Sequence, residues 1–436
     1  MPETAVPHPD RIAVIGGGFT GLVLAWRLAR QGRAVTVFEN SPQPGGLATY
    51  HDYGGFLWDR FYHVILPQDA HLLGLIGELG LSETLVWSRP QTGFNVAGTF
   101  YPFTTPADLL RFPHLSLPQK LRLALGTAWA ARLANPAKLR DISLADWLIP
   151  VFGQAVFEQF WKPLLLAKLG EAYRETSALF LWTYLRRLYA ARSGANRREM
   201  LGHVSGGYHA ILARLESGIA AAGGEVRCDS PVLAVKPARD RAIAVDTANS
   251  SELFDRVFFT GPASALRAVT PPGFLPPAPE TLYLGVICLV LVTEQPLLPF
   301  YVTNLADSAI PFTGIVCVSN VVGPAHTGGS YLTYFPKYLA MNDPLFDRPA
   351  EKLSEMFFQA ASRLFPDLSK GILKSSHLHM ARRVQPIQTL GQANPAPPVA
   401  TGHPSLFLIN SAQFATNTLN NDAVVEHLTK VLPGLI

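Results

Sequence analysis

Charged residues are scarce in this chain: they account for 16% of its 436 residues, whereas hydrophobic residues account for 48%. Such a composition supplies material for large cores and little for a solvated surface, and the length favours two domains over one. The net charge of +4 is too small to indicate nucleic-acid binding, and no basic stripe interleaved with aromatic residues is present. We therefore expect no nucleic-acid partner.

Long hydrophobic runs and paired cysteines are also missing. The longest apolar runs, such as residues 284–292, have about half of the ~20 residues that a membrane span needs, so they predict buried strands. Cys228, Cys288 and Cys317 are odd in number and lack C-x-x-C spacing, so we expect neither a disulfide framework nor a zinc or other metal site. The N-terminus has no basic region followed by an apolar stretch and predicts no secretory signal. These features favour a cytoplasmic protein.

A strand, a glycine turn and a helix near the N-terminus organise the sequence. Gly16, Gly18 and Gly21 have G-x-G-x-x-G spacing, in which the three glycines serve a tight turn, a close approach of pyrophosphate and close packing of helix on strand. The helix begins around Phe19 and Thr20, and its free N–H groups would face the phosphates. By itself the motif also fits an ordinary glycine-rich turn.

A second strand and a second glycine pair favour the dinucleotide interpretation. The apolar residues 34–38 follow at βαβ distance and end at Glu39, which is placed to accept hydrogen bonds from the hydroxyls of an adenosine ribose, with Asn40 beside it. An acid there favours a free 2′-hydroxyl. Gly45 and Gly46 come where a flavoprotein must bring the chain back beside the pyrophosphate, so the sequence favours FAD over NAD.

These motifs together resemble the FAD superfamily that contains protoporphyrinogen oxidase, phytoene desaturase, amine oxidases and UDP-galactopyranose mutase. Where the family usually has Arg or Ser after the glycine pair, this chain has Leu47, Ala48 and Thr49. The resemblance implies an α/β fold: a Rossmann-type FAD-binding domain in the p-hydroxybenzoate-hydroxylase-like two-domain arrangement, with an inserted α+β substrate domain. Motif order supports it over the full length, and specific similarity lies in residues 11–63 and 405–424.

Periodicity and the resemblance divide the chain into alternating segments. We expect FAD-binding parts at 1–99, 204–275 and 381–436, a helical part of the substrate domain at 100–203 and its sheet at 276–380.

Further cofactor contacts follow from the resemblance. Val232 matches a valine that contacts the adenine side in the family, although a strand core valine fits the position equally well. Asn410 stands where the family usually has an acid. A polar turn that includes Leu419 leads into the last helix, with Asn420 or Asn421 as its N-cap. The resemblance implies that this helix points its N-terminus at the pyrimidine ring of the flavin, where its dipole stabilises negative charge.

The segment 58–69 resembles the loop that places a histidine near the flavin in UDP-galactopyranose mutases, and His63 is the matching residue. In that position the imidazole would orient substrate or move a proton. The alternative is a structural histidine. Arg60 and Tyr62 are weaker catalytic candidates.

Composition and resemblance together predict an FAD-dependent dehydrogenase or desaturase acting on a lipophilic, isoprenoid-like or tetrapyrrole-like small molecule. A UDP-galactopyranose-mutase-like enzyme acting on a nucleotide sugar and a non-catalytic FAD-binding subunit remain alternatives. The electron acceptor is open between oxygen, a quinone and NAD(P). Basic residues without an acid between 109 and 140 predict either peripheral contact with the inner face of a membrane or a merely solvated helix face.

Overall fold

Strands and helices alternate along the chain in a computed structural model that describes residues 10–132, 136–190, 200–277, 280–307, 309–387, 389–390, 397–414 and 420–436. The strands are β1 (Arg11–Ile15), β2 (Ala34–Phe38), β3 (Tyr50–Asp52), β4 (Leu57–Asp59), β5 (Leu85–Ser88), β6 (Thr92–Val96), β7 (Thr99–Pro102), β8 (Leu201–Val204), β9 (Glu225–Arg227), β10 (Ala234–Pro237), β11 (Ile243–Asp246), β12 (Ser251–Phe254), β13 (Arg256–Phe259), β14 (Tyr283–Thr293), β15 (Val302–Leu305), β16 (Gly314–Cys317), β17 (Tyr331–Ala340), β18 (Leu373–Pro386) and β19 (Leu406–Leu408). The helices are α1 (Phe19–Ala29), α2 (Ala70–Glu78), α3 (Pro106–Arg111), α4 (Leu117–Ala131), α5 (Leu144–Phe152), α6 (Gln154–Val156), α7 (Lys162–Leu169), α8 (Ala178–Ala190), α9 (Gly207–Ala221), α10 (Ala263–Val269), α11 (Ser319–Val322), α12 (Ala350–Leu364) and α13 (Asn421–Val431).

A five-stranded parallel sheet with the order β19-β13-β1-β2-β9 carries the glycine turn. Successive side chains of a strand point to opposite faces, and both faces of this sheet are covered. Ile12 and Val14 of β1 pack with α1, α9 and α13, whereas Ala13 and Ile15 pack with the antiparallel sheet β10-β11-β12. Burial on both faces explains the continuous apolar runs, and the carboxyl ends of the strands present the turn, as in other open α/β sheets.

A seven-stranded sheet with the order β18-β14-β17-β16-β15-β6-β7 forms the second centre of the fold. Its strand β14 is buried along all 11 residues. Ile287 and Leu289 pack toward Phe357 of α12, whereas Cys288 and Val290 share the opposite core with residues of the β3–β4 hairpin region. The sheet therefore lies between α12 and the loops that follow the glycine pair.

Two of the expected segment boundaries fall inside strands of this sheet. The boundary at 99/100 lies in β7 and the one at 380/381 lies in β18, so the sheet takes in residues on both sides of each. β18 is an edge strand that alternates between exposed and partly buried residues, and such a polar strand gives a weaker signal than β14. Val232 lies just before a strand and not within it, since β10 begins at Ala234.

The helices between β7 and β8 form a third core around Phe152 and Trp161, against which α4 and α8 pack. The Trp182 indole N–H of α8 donates a hydrogen bond to the Ala130 carbonyl of α4 at 3.0 Å, which ties the two helices together. No helix formed by the described residues has both the length and the apolarity needed to cross a bilayer.

Candidate active site

The glycine turn after β1 leaves no room for side chains at two of the three glycines of the G-x-G-x-x-G motif. Gly16 has a φ of +106°, and the Thr260 hydroxyl donates a hydrogen bond to the Gly16 carbonyl at 2.9 Å. A Cβ atom on Gly21 would lie 1.9 Å from the same carbonyl oxygen. A Cβ atom on Gly18 would meet only the Gly46 Cα, at 3.8 Å, which is an ordinary contact. The protein's own packing therefore requires glycine at Gly16 and Gly21 but not at Gly18.

The Glu39 carboxylate is fixed at the carboxyl end of β2 by backbone donors. One oxygen accepts a hydrogen bond from the Gly17 N–H at 2.7 Å, and the other accepts one from the Ser41 N–H at 2.8 Å. The Ser230 N–H donates to the Glu39 carbonyl at 2.8 Å, which brings the following Val232 to this end of the sheet. Val232 is partly buried against the core under β10–β12, and the neighbouring Asn40 is exposed.

The second glycine pair returns to the first turn. The Gly45 N–H donates to the Gly17 carbonyl at 2.8 Å, and a Cβ atom on Gly46 would lie 3.1 Å from the Gly18 Cα. Gly45 has a φ of +116°, and its Cβ would lie 2.9 Å from the Thr49 Cα. The two glycine segments thus approach each other closely, with the partly buried Leu47 just beyond.

Residues near the C-terminus complete this edge of the sheet. The Asn410 amide donates to the Gly261 carbonyl at 3.1 Å and accepts from the Ala412 N–H at 3.0 Å, so this side chain is occupied by the protein itself. The Asn420 side chain accepts from the Ala423 N–H at 2.9 Å, which confirms Asn420 as the N-cap of the last helix. The buried Asn421 amide nitrogen has no hydrogen-bond partner among the described residues. Leu419 lies outside the described residues.

The loop after β4 places His63 across from the glycine turn. The Asp59 carboxylate is buried and accepts a hydrogen bond from the Tyr208 N–H at 2.9 Å. The His63 Nδ1 atom lies 3.5 Å from the other Asp59 oxygen, and the imidazole lies 4.7 Å from the Tyr208 ring. That ring packs edge-to-face on Phe19 at 6.0 Å, so a single aromatic residue separates His63 from the start of α1. The Arg60 N–H donates to the Thr49 carbonyl at 3.0 Å, which holds the loop beside the second glycine pair.

This geometry fits a dinucleotide. The turn is open at Gly18, and the Glu39 carboxylate stands at the end of the neighbouring strand. The buried Asn421 amide nitrogen has no partner among the residues that the structure describes. Residues 19–411 match the model of the family described as flavin containing amine oxidoreductase. The chain belongs to this family. As a member of this family it is a flavin-containing oxidoreductase with FAD as its cofactor.

Individual relatives match shorter parts. The mitochondrial protoporphyrinogen oxidase of Nicotiana tabacum is 27% identical over 164 residues, which cover 37% of this chain and 32% of that protein. A 15-cis-phytoene desaturase of Narcissus pseudonarcissus is 28% identical over 138 residues, 28% of this chain and 24% of that protein. The chain therefore spans about a third or less of the length of these curated relatives. A solved oxidoreductase structure from Methanosarcina mazei is 18% identical with a TM-score of 0.73, covering 97% of this chain and 100% of that chain, and shares the fold.

On the substrate-domain side of this oxidoreductase, a lysine lies among tyrosines. The hydroxyls of Tyr62 and Tyr338 are hydrogen-bonded at 2.6 Å, and burial raises the pKa of Tyr62. The Lys168 Nζ atom lies 4.0 Å from the centre of the Tyr184 ring, and the Tyr184 hydroxyl donates to the Gln385 side chain at 3.0 Å. Of these residues the sequence indicated only Tyr62, because the others come from separate elements and form no local motif.

Two histidine groups lie close to the site. The His51 Nε2 and His377 Nδ1 atoms are 3.1 Å apart, and the Tyr53 hydroxyl lies 3.1 Å from the His379 Nε2 atom. Burial, followed by the charges of His51 and Arg60, lowers the pKa of His379 to about 3. Burial, followed by the nearby His326, lowers the pKa of His203 to about 4. Among the described residues, no group of three or more His, Cys, Asp or Glu side chains could hold a metal ion.

These histidines predict that the fold weakens in mild acid. An unfolded histidine takes up a proton below about pH 6.5, whereas His379 and His203 in the folded protein stay neutral until about pH 3 and about pH 4. Above pH 6.5 both states are neutral and neither histidine affects stability. Between pH 6.5 and pH 5 the unfolded state gains protons, and each histidine then lowers the free energy of unfolding by up to about 2 kcal/mol.

Denaturant unfolding at pH 7 and pH 5 tests this expectation. Replacing His379 or His203 by Gln, which does not titrate, should remove part of the loss between the two pH values. The exposed His71, replaced in the same way, is the matched control and should leave the loss unchanged. An equal loss in all three variants would show that neither buried histidine causes the acid sensitivity.

Proposed function

We propose that this flavin-containing amine oxidoreductase is a dehydrogenase or desaturase that acts on a lipophilic, isoprenoid-like or tetrapyrrole-like substrate. The observation that carries the proposal is the face of the seven-stranded sheet directed toward the β3–β4 region. Val286, Cys288, Val290, Tyr301 and Tyr334 on this face share one core with aromatic residues of that hairpin. Around this core lie the partly buried Phe61, Tyr62 and Tyr338, so the region beside it is apolar and aromatic. Such surroundings favour a lipophilic substrate over a small polar amine. The matches to a protoporphyrinogen oxidase and a phytoene desaturase support the same choice.

The proposed FAD contacts are the residues that converge at the carboxyl ends of β1 and β2. Bound FAD supplies the two-electron redox chemistry of the reaction. The glycine turn holds the phosphates, and Glu39 accepts hydrogen bonds from the ribose. The full proposed set is Gly16, Gly18, Phe19, Thr20, Gly21, Glu39, Asn40, Gly45, Gly46, Leu47, Val232, Asn410, Leu419, Asn420 and Asn421.

His63 is proposed to orient the substrate or to move a proton during its oxidation. Its Nδ1 atom has no hydrogen-bond partner among the described residues and lies 3.5 Å from an oxygen of the buried Asp59 carboxylate. The imidazole is therefore close to a carboxylate but remains available to a substrate. Arg60, whose buried Nε atom has no partner among the described residues, and Tyr62 are supporting candidates. In this proposal both flank the substrate and His63 carries the proton step.

Turnover experiments test the proposed function. The FAD-loaded protein is incubated separately with a porphyrinogen and with phytoene, in the presence of oxygen, a quinone or NAD(P), and the coloured product is measured. Product formation with one substrate and one acceptor is expected. Isomerisation of UDP-galactopyranose by the chemically reduced protein, without turnover of either lipophilic compound, would instead support the nucleotide-sugar mutase.

A second proposal is that the protein binds the cytoplasmic face of a membrane through α4. Four large apolar side chains spaced four residues apart form one exposed stripe: Leu117, Leu121, Leu125 and Trp129 are 51–69% exposed. Exposed Arg111 and Arg132 flank the stripe. An amphipathic helix of this kind binds a surface of anionic lipid. A merely solvated face, the alternative, does not explain four exposed apolar residues in line.

Two of the basic residues between 109 and 140 contribute less to the proposed lipid binding than the sequence suggests. The Lys120 ammonium donates to the Leu110 carbonyl at 2.6 Å, and the Arg122 guanidinium donates to the Pro150 and Val151 carbonyls. These two side chains donate hydrogen bonds to backbone carbonyls of the protein and are therefore not directed at lipid phosphates. Fewer basic side chains than the sequence suggests are therefore free for lipid, and the apolar stripe carries most of the proposed binding.

We expect the protein to float with anionic liposomes. The combined change Leu121→Gln and Leu125→Gln should weaken this binding by at least about tenfold, because two exposed leucines that would enter the lipid are lost. Glutamine keeps the helix propensity. The matched control is Leu233→Gln with Leu253→Gln, two leucines that are 58% and 52% exposed on the FAD-binding side. High salt should weaken binding only in part, since each basic side chain contributes about 1 kcal/mol. Equal flotation of both double variants would contradict the proposal.

A further inference from the structure

The lysine–tyrosine cluster consists of Lys168, Tyr184, Tyr338, Tyr62 and Gln385. Lys168 lies in the last turn of α7, Tyr184 on α8, Tyr338 on β17, Tyr62 in the loop after β4 and Gln385 on β18. The cluster therefore joins the helical part of the substrate domain, the two long strands β17 and β18 of its sheet, and the loop that carries His63. All polar side chains of the cluster converge where these three parts meet.

The Lys168 ammonium has no acidic partner in the part of the chain that the structure describes. Its Nζ atom lies 4.0 Å from the centre of the Tyr184 ring and 5.7 Å from the centre of the Tyr338 ring, and no carboxylate is paired with it. Burial lowers the pKa of Lys168, but the oxygens of Tyr184 and Tyr338 raise it more, so the pKa lies above its ordinary value. The side chain stays charged at neutral pH. An unpaired ammonium inside a protein is costly unless something compensates its charge.

The cluster lies at the end of the sheet that faces the proposed FAD contacts. Gln385 pairs with Leu284 across β18 and β14, and the adjacent Tyr283 contacts the Ser411 side chain. Ser411 directly follows Asn410. On the other side, Tyr62 directly precedes His63. A substrate lying between His63 and the sheet would therefore bring one end to the cluster.

We infer that Lys168, held beside the Tyr184 ring, binds an anionic group of the substrate, a carboxylate or a phosphate, together with the hydroxyls of Tyr338 and Tyr62. The inference rests on the proposed function and narrows it, because a buried cation selects lipophilic acids over pure hydrocarbons. An ammonium offers three donors, and the Tyr62–Tyr338 hydroxyl pair keeps one O–H that is not used within the pair. The cluster therefore supplies the charge-assisted hydrogen bonds that a carboxylate or phosphate accepts. The aromatic rings of the same residues contact the apolar part of the substrate next to its acidic group.

Equilibrium binding to the FAD-loaded protein tests this inference with pairs of probes that differ in charge. Retinoate and protoporphyrin IX are compared with their methyl esters, and farnesyl phosphate is compared with farnesol. We expect the anion of at least one pair to bind roughly 10- to 100-fold more tightly than its neutral partner, which is the usual effect of a hydrogen bond to a charged group. If the free acids bind more tightly than their methyl esters, the anionic group of the substrate is a carboxylate. If farnesyl phosphate binds more tightly than farnesol, the group is a phosphate.

Variants locate the effect. Lys168→Met should abolish the preference for the anion, and Lys168→Arg should restore part of it. The matched control is Lys162→Met, on the same helix, where the ammonium is exposed and pairs with Glu158 at 2.6 Å. FAD content and melting temperature are measured on every variant. Should Lys168→Met fail to fold, Tyr184→Phe, which removes the hydroxyl beside the ammonium, replaces it and should lower the preference.

Two results would overturn the inference: equal binding of anion and neutral partner in every pair, or a preference that survives in Lys168→Met at full FAD content. Failure of the proposed function gives a different pattern. In that case the anion preference depends on Lys168, yet neither a porphyrinogen nor phytoene is turned over with any acceptor. Binding and turnover therefore separate the two proposals.

Discussion

We expect His63→Gln and His63→Ala to lower the rate at which substrate reduces the flavin by roughly 10²–10⁴-fold, the usual contribution of a general acid–base group. The imidazole lies beside the buried Asp59 carboxylate and faces the start of α1 across the Tyr208 ring. Because the Nδ1 atom has no hydrogen-bond partner in the described part of the chain, we expect loss of the imidazole to remove little that stabilises the fold. FAD content and melting temperature should therefore stay near their wild-type values.

Single-turnover reduction, flavin stoichiometry and melting temperature, measured on the same two variants, separate a proton-transfer role from a structural one. His71→Gln, an equivalent change at an exposed position of α2, is the control and should change none of the three. A structural histidine gives the opposite pattern, with lost stability or lost FAD and a preserved rate in the protein that keeps its flavin. An unaltered rate at full occupancy would remove His63 from the mechanism.

Gly18→Ala should weaken FAD binding by about 100-fold, which corresponds to about 2.7 kcal/mol, while the apoprotein keeps its stability. The protein itself tolerates the methyl group, since the new Cβ would meet only the Gly46 Cα at 3.8 Å. The backbone at Gly18 has a φ of −66° and a ψ of 175°, which alanine adopts without strain. The methyl group therefore acts on the pyrophosphate, whose approach requires a bare backbone at this point.

Alanine substitutions at two other glycines serve as comparisons for Gly18→Ala. Gly21→Ala places a Cβ atom 1.9 Å from the Gly16 carbonyl oxygen, so it should destabilise the apoprotein itself. Gly74→Ala on α2 meets nothing within 4 Å and should leave both FAD binding and stability intact or slightly improved. FAD titration and apoprotein melting are measured on all three. Full FAD affinity in Gly18→Ala would contradict the proposed position of the phosphates.

The parts of this molecule that were predictable from sequence are those whose signal is local. Helix α12 (Ala350–Leu364) is one such element, because its apolar residues recur at helical spacing. Asn420 is the N-cap of α13 because a cap depends on a few consecutive residues. The contact between the glycine turn after β1 and the pair Gly45–Gly46 was also predictable, because both segments are short and directly follow the first two strands.

The substrate side was not predictable in the same way. Lys168, Tyr184 and Tyr338 are brought together only by the docking of α7 and α8 on β17, and no spacing in the sequence connects them. The edge strand β18 lacks a clear apolar alternation, so its first half and second half were assigned to different segments. Lys120 gives a second example, because its ammonium donates a hydrogen bond to a backbone carbonyl of the protein. A run of basic residues in the sequence does not indicate which of the side chains reach solvent.

The most direct test of the central claim is anaerobic mixing of the FAD-loaded protein with one equivalent of a lipophilic substrate, a porphyrinogen or phytoene, while the visible absorbance of the flavin is followed. The account predicts that one of them bleaches the flavin in step with formation of the oxidised product, and that addition of oxygen, a quinone or NAD(P) restores the absorbance. A flavin that neither compound reduces, in a protein that isomerises UDP-galactopyranose once chemically reduced, would contradict it.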